Sequence, residues 1–212
     1  MGTPVIGIVG GTGAQGRGLA TRWVAAGLAV LVGSRDADRA AAAAAELGAT
    51  GAANDEVAAR ADVVVIGVPW DAHADTVREL APLLGGKVVV DCVNPLGFDA
   101  RGPYAVDVPE GSAAEQAQAL APQARVTAAF HHVSAVALAD LSVPSLDQDV
   151  LVLGDDRDAT DTVIALAEAL PGVRGVYAGR LRNARQVEAL TANLIAVNRR
   201  YKVHAGLRVT DL

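Results

Sequence analysis

The chain is 212 residues long, 51% hydrophobic and 3% aromatic, with a formal net charge of −6. That length suits one compact domain with a small additional lobe, and the acidic balance argues against a general nucleic-acid or anionic-membrane binder. The single cysteine, Cys92, excludes an intramolecular disulfide and a cysteine metal cluster and fits a reducing cytoplasm.

Taken in chain order, Val5-Ile6-Gly7-Ile8-Val9 reads as a strand, with no basic region and long apolar stretch ahead of it. A glycine turn and an apolar-periodic helix with Leu19, Trp23 and Val24 follow. Residues 29–33 form a second strand. A helix runs from about Asp36 to Leu47 and closes at Gly48; its alanine run is good helix former. A short third strand lies near 49–52, and Asn54 caps a small helix that ends before Asp62. Residues 63–68 are continuously apolar, as in a strand buried on both faces. Pro69-Trp70 breaks that run, and Asp71 caps a helix carrying Val77, Leu80, Leu83 and Leu84 on one side.

Lys87–Cys92 is the next strand, followed by Asn94-Pro95 and a long Gly/Pro-rich loop over 96–111. Ser112 caps a helix to about Leu120, and residues 125–130 form a strand. Residues 149–153, 159–170 and 173–177 read as strand, helix, strand. One long helix spans about 182–203, with Val187, Leu190, Leu194 and Val197 at helical spacing. No segment reaches the roughly 18 apolar residues of a membrane span. The alternation predicts an α/β fold: a doubly wound (Rossmann-like) parallel sheet with a smaller C-terminal α/β lobe ending in a long helix.

The turn after the first strand is Gly11-Thr12-Gly13-Ala14-Gln15-Gly16. Its G-x-G-x-x-G spacing, between strand and helix, is a dinucleotide-binding fingerprint. The first glycine allows the tight turn, the second lets backbone approach a pyrophosphate, and the third lets helix and strand pack closely. At the end of the second strand stand Ser34-Arg35, where NAD sites usually carry a carboxylate. Ser34, Arg35, Arg39 and Thr12 can all donate to a ribose 2′-phosphate, which favours NADP(H) over NAD(H). The plain alternative is that Arg35 and Arg39 are solvated charges at a helix start.

Ligands of such sheets bind beyond the carboxyl ends of the strands. That places Val68-Pro69 along the cofactor's ribose and diphosphate. Trp70 lines a pocket or packs into the core, and Asn94 bonds the nicotinamide amide or caps its own turn. His131 and His132 are acid/base candidates or strand-end histidines satisfying backbone carbonyls. No metal is expected, because His73, His204 and Cys92 show no ligand spacing. Hydroxy-acid dehydrogenases of this fold need a proton donor, often a lysine four residues before an asparagine on the helix after the sheet. Before Asn193 and Asn198 stand Ala189 and Leu194, which transfer no proton. Hydride exchange between two bound rings needs no catalytic side chain, only near-attack stacking in a water-excluding site.

The glycine turn, Gly33-Ser34-Arg35 and Val68-Pro69-Trp70 resemble the coenzyme F420-dependent NADP reductases, and the similarity spans nearly the whole chain. It includes Ser112-Ala113-Ala114-Glu115, Gly154-Asp155-Asp156, Asn183, Arg185 and Val187-Glu188. The resemblance implies direct hydride transfer between deazaflavin carbon 5 and nicotinamide carbon 4. It implies that Thr12, Ser34, Arg35 and Arg39 hold the 2′-phosphate, and that His131, Val133 and Leu207 lie near the deazaflavin. It also implies a homodimer. Residues 1–130 are then the NADP-binding domain, and 131–212 a lobe that adds to the deazaflavin site and the dimer interface. Asp36 departs from the serine-arginine-arginine opening of some relatives, which moves weight onto Arg39. Two other readings stand beside this one: an NADP-dependent imine or ketone reductase of the pyrroline-carboxylate type, and a non-catalytic NADP(H) sensor.

Overall fold

A computed structural model describes residues 4–212. The elements alternate: β1 (Ile6–Val9), α1 (Ala14–Ala25), β2 (Val30–Ser34), α2 (Ala37–Leu47), β3 (Thr50–Ala53), α3 (Asn54–Arg60), β4 (Val63–Ile66), α4 (Trp70–Leu80) and β5 (Val88–Asp91). There follow β6 (Leu96–Asp99), β7 (Gly102–Ala105), α5 (Ala113–Leu120), β8 (Arg125–Ala128) and α6 (Ala135–Ala139). The chain closes with β9 (Gln148–Gly154), α7 (Arg157–Glu168), β10 (Val173–Gly179) and α8 (Ala184–Tyr201).

Eight strands form one sheet in the order β10-β9-β8-β5-β4-β1-β2-β3. The chain winds outward from β1 to β3 on one side and from β4 to β8 on the other, so the switch point lies between β1 and β4. Every pairing is parallel except β8 with β9. The last third of the chain therefore adds β9 and β10 to the same sheet, running opposite to the rest.

Strand β4 shows why the sheet is two-sided. Val63 and Val65 face one apolar layer, with Leu19, Trp23, Val163 and Leu166. Val64 and Ile66 face the other, with Val77, Leu80, Ala117 and Val187. Burying such a side chain contributes roughly 1.5–3 kcal/mol, so a strand apolar at every position is stable only between two helix layers. Trp23 anchors the first layer: its indole N–H donates to the Leu166 carbonyl at 2.9 Å, and its ring meets Phe130 edge-on at 88°.

Asp36 caps α2 by accepting from the Arg39 amide, and Gly48 ends that helix in the left-handed region. Ser112 caps α5 through the Glu115 amide. Two expected caps are absent. Asn54 is the first residue of α3, not its cap, and its side chain turns away into the glycine turn. Asp71 lies inside the first turn of α4, which opens at Pro69. The expected 96–111 loop also holds a two-stranded hairpin, β6 with β7, beside α8. Its turn is built by Asp99, whose carboxylate accepts from the Arg101 and Gly102 amides, so hydrogen bonding supplies order that composition hides.

Helix α6 has no counterpart in the sequence reading. It is five residues long, too short for periodicity, and is held from outside by Arg22.

Candidate functional site

The carboxyl ends of β1, β2, β4, β5 and β8 open onto one groove built of three adjoining cavities. The first, about 640 Å³, lies over the glycine turn and Ser34, Arg35 and Arg39. The second, about 480 Å³, lies between Val68-Pro69-Trp70, Cys92-Val93-Asn94 and α8. The third, about 250 Å³, lies among His131, Val133, Ser134 and α8. Gln15 borders all three, and Asn94, Thr191 and Ile195 border the second and third.

The turn's left-handed residue is Gly10, with φ of 73°, and not Gly11 as the motif suggests. A Cβ on Gly10 would meet Val68 at 2.8 Å and the Gly67 carbonyl at 2.9 Å. Gly16 packs the helix on the turn, since a Cβ there would lie 2.7 Å from the Gly11 Cα. Gly11 and Gly16 are buried and shape the turn from beneath, while Gly13 and Ala14 are exposed on the groove. No side chain caps α1 and its first turn holds no acidic residue. Its N–H groups and the helix dipole therefore present an anion site.

Thr12, Ser34, Arg35 and Arg39 come together in the lining of the first cavity. Both arginines are exposed, and neither joins an ion pair among the described residues. Sequence reasoning missed Asn54 here. Its Oδ1 accepts from the Gly10 amide at 3.2 Å and packs against Gly33, so it braces the turn against β2. Its place one residue after β3 is the signal, since that too is a strand's carboxyl end.

Asn94 neither stands free nor caps its own turn. Its Nδ2 donates to the His131 carbonyl at 3.1 Å, and the Thr191 hydroxyl sits 3.2 Å from its Oδ1. These bonds clamp the ends of β5 and β8 to α8. Val68, Pro69 and Trp70 line the second cavity, with Trp70 half-buried on the wall and not in the core.

His131 and His132 behave differently. Both ring nitrogens of His131 are buried without a partner, and the residue borders the third cavity. Burial pushes its pKa down to about 4. His132 Nε2 accepts from the Leu151 amide at 3.3 Å, which holds it to β9. Burial pushes His132 down to about 4 as well. Both are neutral at pH 7, so neither is a ready proton donor. Val133 is buried beside them. Leu207 is half-buried, and its carbonyl accepts from the Asp149 amide at 2.7 Å, pinning the C-terminal segment to β9. Sequence reasoning also missed Thr191 and Ile195, one helical turn apart on α8.

No helix among the described residues is long and apolar enough to cross a membrane.

The family model for coenzyme F420-dependent NADP oxidoreductases matches residues 5–95. The chain is 41% identical to the F420-dependent NADP reductase of Methanothermobacter thermautotrophicus, over 98% of this chain and 95% of that protein. It is 39% identical to the enzyme of that name from Methanothermobacter marburgensis, over 98% of both. A crystal structure of a candidate F420-dependent NADP reductase from Arthrobacter sp. FB24 superposes with a TM-score of 0.83 at 27% identity, covering 98% of this chain and 99% of that one. The family-model match ends at residue 95, whereas the likeness to the two relatives and to the crystal structure covers 98% of the chain. The chain belongs to the family of F420-dependent NADP reductases.

Proposed function

We propose that this oxidoreductase passes a hydride directly and reversibly between NADP(H) and coenzyme F420, with both bound in the one groove. The observation that carries the reading is the groove's continuity, from two arginines at one end to a buried imidazole at the other, all without a partner among the described residues. When bound, the nicotinamide and deazaflavin rings supply the hydride chemistry. The chain's residues bind, orient and exclude water.

Thr12, Ser34, Arg35 and Arg39 hold the 2′-phosphate, with charge-assisted bonds from both guanidiniums. The first turn of α1 takes the diphosphate, along Gly13, Ala14 and Gln15. The second cavity, walled by Val68, Pro69 and Trp70, takes the nicotinamide, and the third takes the deazaflavin. His131 fits that assignment, because a buried ring with both nitrogens unpaired gains a partner from any polar heterocycle placed there. Val133 supplies apolar contact. Residues 1–130 thus carry the NADP side, and residues 131–212 add the deazaflavin side.

We further propose a homodimer in the cytoplasm. Phe98 and Tyr104 on the hairpin and Tyr201 near the end of α8 are at least half exposed, which supports an apolar face for a second copy.

The test is to mix the purified chain with NADPH and oxidised F420 and follow loss of the deazaflavin's visible absorbance. Loss that requires both NADPH and the chain supports the reading, and no turnover between about pH 5 and 9 overturns it.

A further inference from the structure

Behind the groove lies a buried polar cluster that hydride transfer does not use directly. His73 and Asp91 are both fully buried. His73 Nε2 lies 2.7 Å from Asp91 Oδ2, and His73 Nδ1 lies 2.9 Å from Gln116 Oε1. Gln116 in turn donates from Nε2 to the Glu110 carboxylate at 3.2 Å. A carboxylate only accepts, so Glu110 fixes which way the Gln116 amide faces, and its oxygen points at His73. Both ring nitrogens of His73 therefore meet oxygens, an arrangement that an imidazolium satisfies with its two N–H groups.

Its surroundings agree. Burial works against the charge, but the Asp91 carboxylate and the two hydrogen bonds outweigh it and hold the pKa above the ordinary value. The acidic groups facing the ring are Asp91 from β5 and Glu188 from α8; from α5 it meets only the neutral Gln116. Glu188 is itself buried and accepts from the Ala113 and Ala114 amides. Burial, with Asp91 adding to it, pushes Glu188 up to about 7.

The cluster touches the groove at two points. The Trp70 indole stacks on the His73 ring at 5.5 Å and 29°. The other oxygen of Asp91 accepts from the Val93 amide at 3.0 Å. Trp70 and Val93 both line the second cavity. One carboxylate thus reaches that wall at two residues, the first through the His73 ring and the second through backbone.

We propose that His73 is a positioning residue, kept as an imidazolium between Asp91 and Gln116 so that cation–π stacking fixes the Trp70 indole as a wall of the nicotinamide cavity. This deepens the hydride-transfer reading and rests on it for the identity of the ring. The 2′-phosphate end lies in another cavity, so loss of His73 affects ring alignment and leaves cofactor affinity nearly intact.

Two measurements on the full chain test this. The first is the ¹⁵N spectrum of the wild-type imidazoles between pH 6 and 8.5. His73, assigned with H73Q, keeps both nitrogens protonated throughout; a neutral His73 at pH 7.5 overturns the proposal. The second compares wild type and H73Q. The variant loses about tenfold in kcat while its Kd for NADPH changes less than about twofold. The Trp70 indole N–H signal, assigned with W70F, is single in wild type and broadened or doubled in H73Q. Unchanged kcat with an unchanged indole signal overturns the proposal. Should H73Q not fold, H131N, H132N and H204N assign the other three imidazoles, and His73 in the wild-type ¹⁵N spectrum decides. Should the wild type transfer no hydride, the functional reading fails by itself, and the ¹⁵N and indole signals still decide the role of His73.

Discussion

Gln15 and Phe130 join the glycine turn to the segment after β8: the Gln15 amide donates to the Phe130 carbonyl at 3.0 Å. Gln15 belongs to the glycine turn and Phe130 directly precedes His131. Phe130 has φ of 65°, an uncommon conformation for a bulky residue, and is fully buried against Trp23. Such strain costs about 1 kcal/mol and persists only where neighbours enforce it. Here the aromatic contact and the amide bond together set where the β8 chain turns into the third cavity.

Gln15→Leu keeps the volume and removes the donor. The lost bond is worth about 1 kcal/mol, and the Phe130 carbonyl is left unpaired. The expected result is a fall in kcat of about fivefold to tenfold, with the Kd for NADPH within about threefold of wild type. Steady-state kinetics beside equilibrium titration of the cofactor measures both.

Cofactor choice rests on Arg35 and Arg39. Each charge-assisted bond to a 2′-phosphate contributes about 1.5–3 kcal/mol, so removing one guanidinium costs about tenfold to a hundredfold. Arg35→Ala and Arg39→Ala should each lower kcat/KM for NADPH by that factor and leave the weak activity with NADH nearly unchanged. Equal losses with both cofactors would show that the arginines do not read the phosphate.

Stability should depend on pH through three buried groups. His131 and His132 are held at about 4, against an ordinary 6.5. As pH falls from 6.5 to 4, the unfolded chain takes up protons that the folded chain refuses. Stability then falls by roughly 3 kcal/mol per histidine. Glu188 acts in the opposite sense. Its folded pKa near 7, against 4.5, keeps a proton that the unfolded chain has lost, so stability falls as pH rises from 4.5 to 7. Two groups outweigh one, and the net slope between pH 4.5 and 6.5 should be upward. In urea titrations across that range, Glu188→Gln should steepen the rise and His131→Asn with His132→Asn should flatten it.

Arg22 is 2% exposed and donates to four carbonyls, of Ala137, Leu138, Asp140 and Val143, at 2.6–3.0 Å. It ties α1 to the end of α6, a helix whose first residue, Ala135, borders the third cavity. Arg22→Ala should lower stability by about 3 kcal/mol or more, because it strands several buried acceptors at once. Arg22→Lys should recover only part of that, since a single ammonium cannot reproduce the fork. Urea midpoints of the three proteins measure the difference.

The legible parts of this molecule were those written as local pattern. The strands apolar at every position, the Ser112 cap, the Gly48 helix end and the glycine turn all depend on neighbours within a few residues. So does the grouping of Ser34, Arg35 and Arg39, which one strand end delivers together. What was not legible depends on distant partners. Asn54 has the composition of a helix cap, yet its oxygen is taken by Gly10, 44 residues away. Asn94 is claimed by His131 and Thr191, and α6 exists because Arg22 holds it. The left-handed residue falls at Gly10, one before the motif's first glycine, where Gly67 and Val68 leave no room for a Cβ. The charge proposed for His73 rests on a chain of oxygens through Gln116 to Glu110.

Direct transfer between two stacked rings is the central claim, and isotope tracing tests it most directly. NADPH carrying deuterium at the transferred position of carbon 4 is mixed with the chain and oxidised F420 in ordinary water, and the reduced deazaflavin is analysed by NMR. The account predicts about one deuterium per molecule at carbon 5 and none in the solvent. Deuterium recovered in the water, with protium at carbon 5, would contradict it.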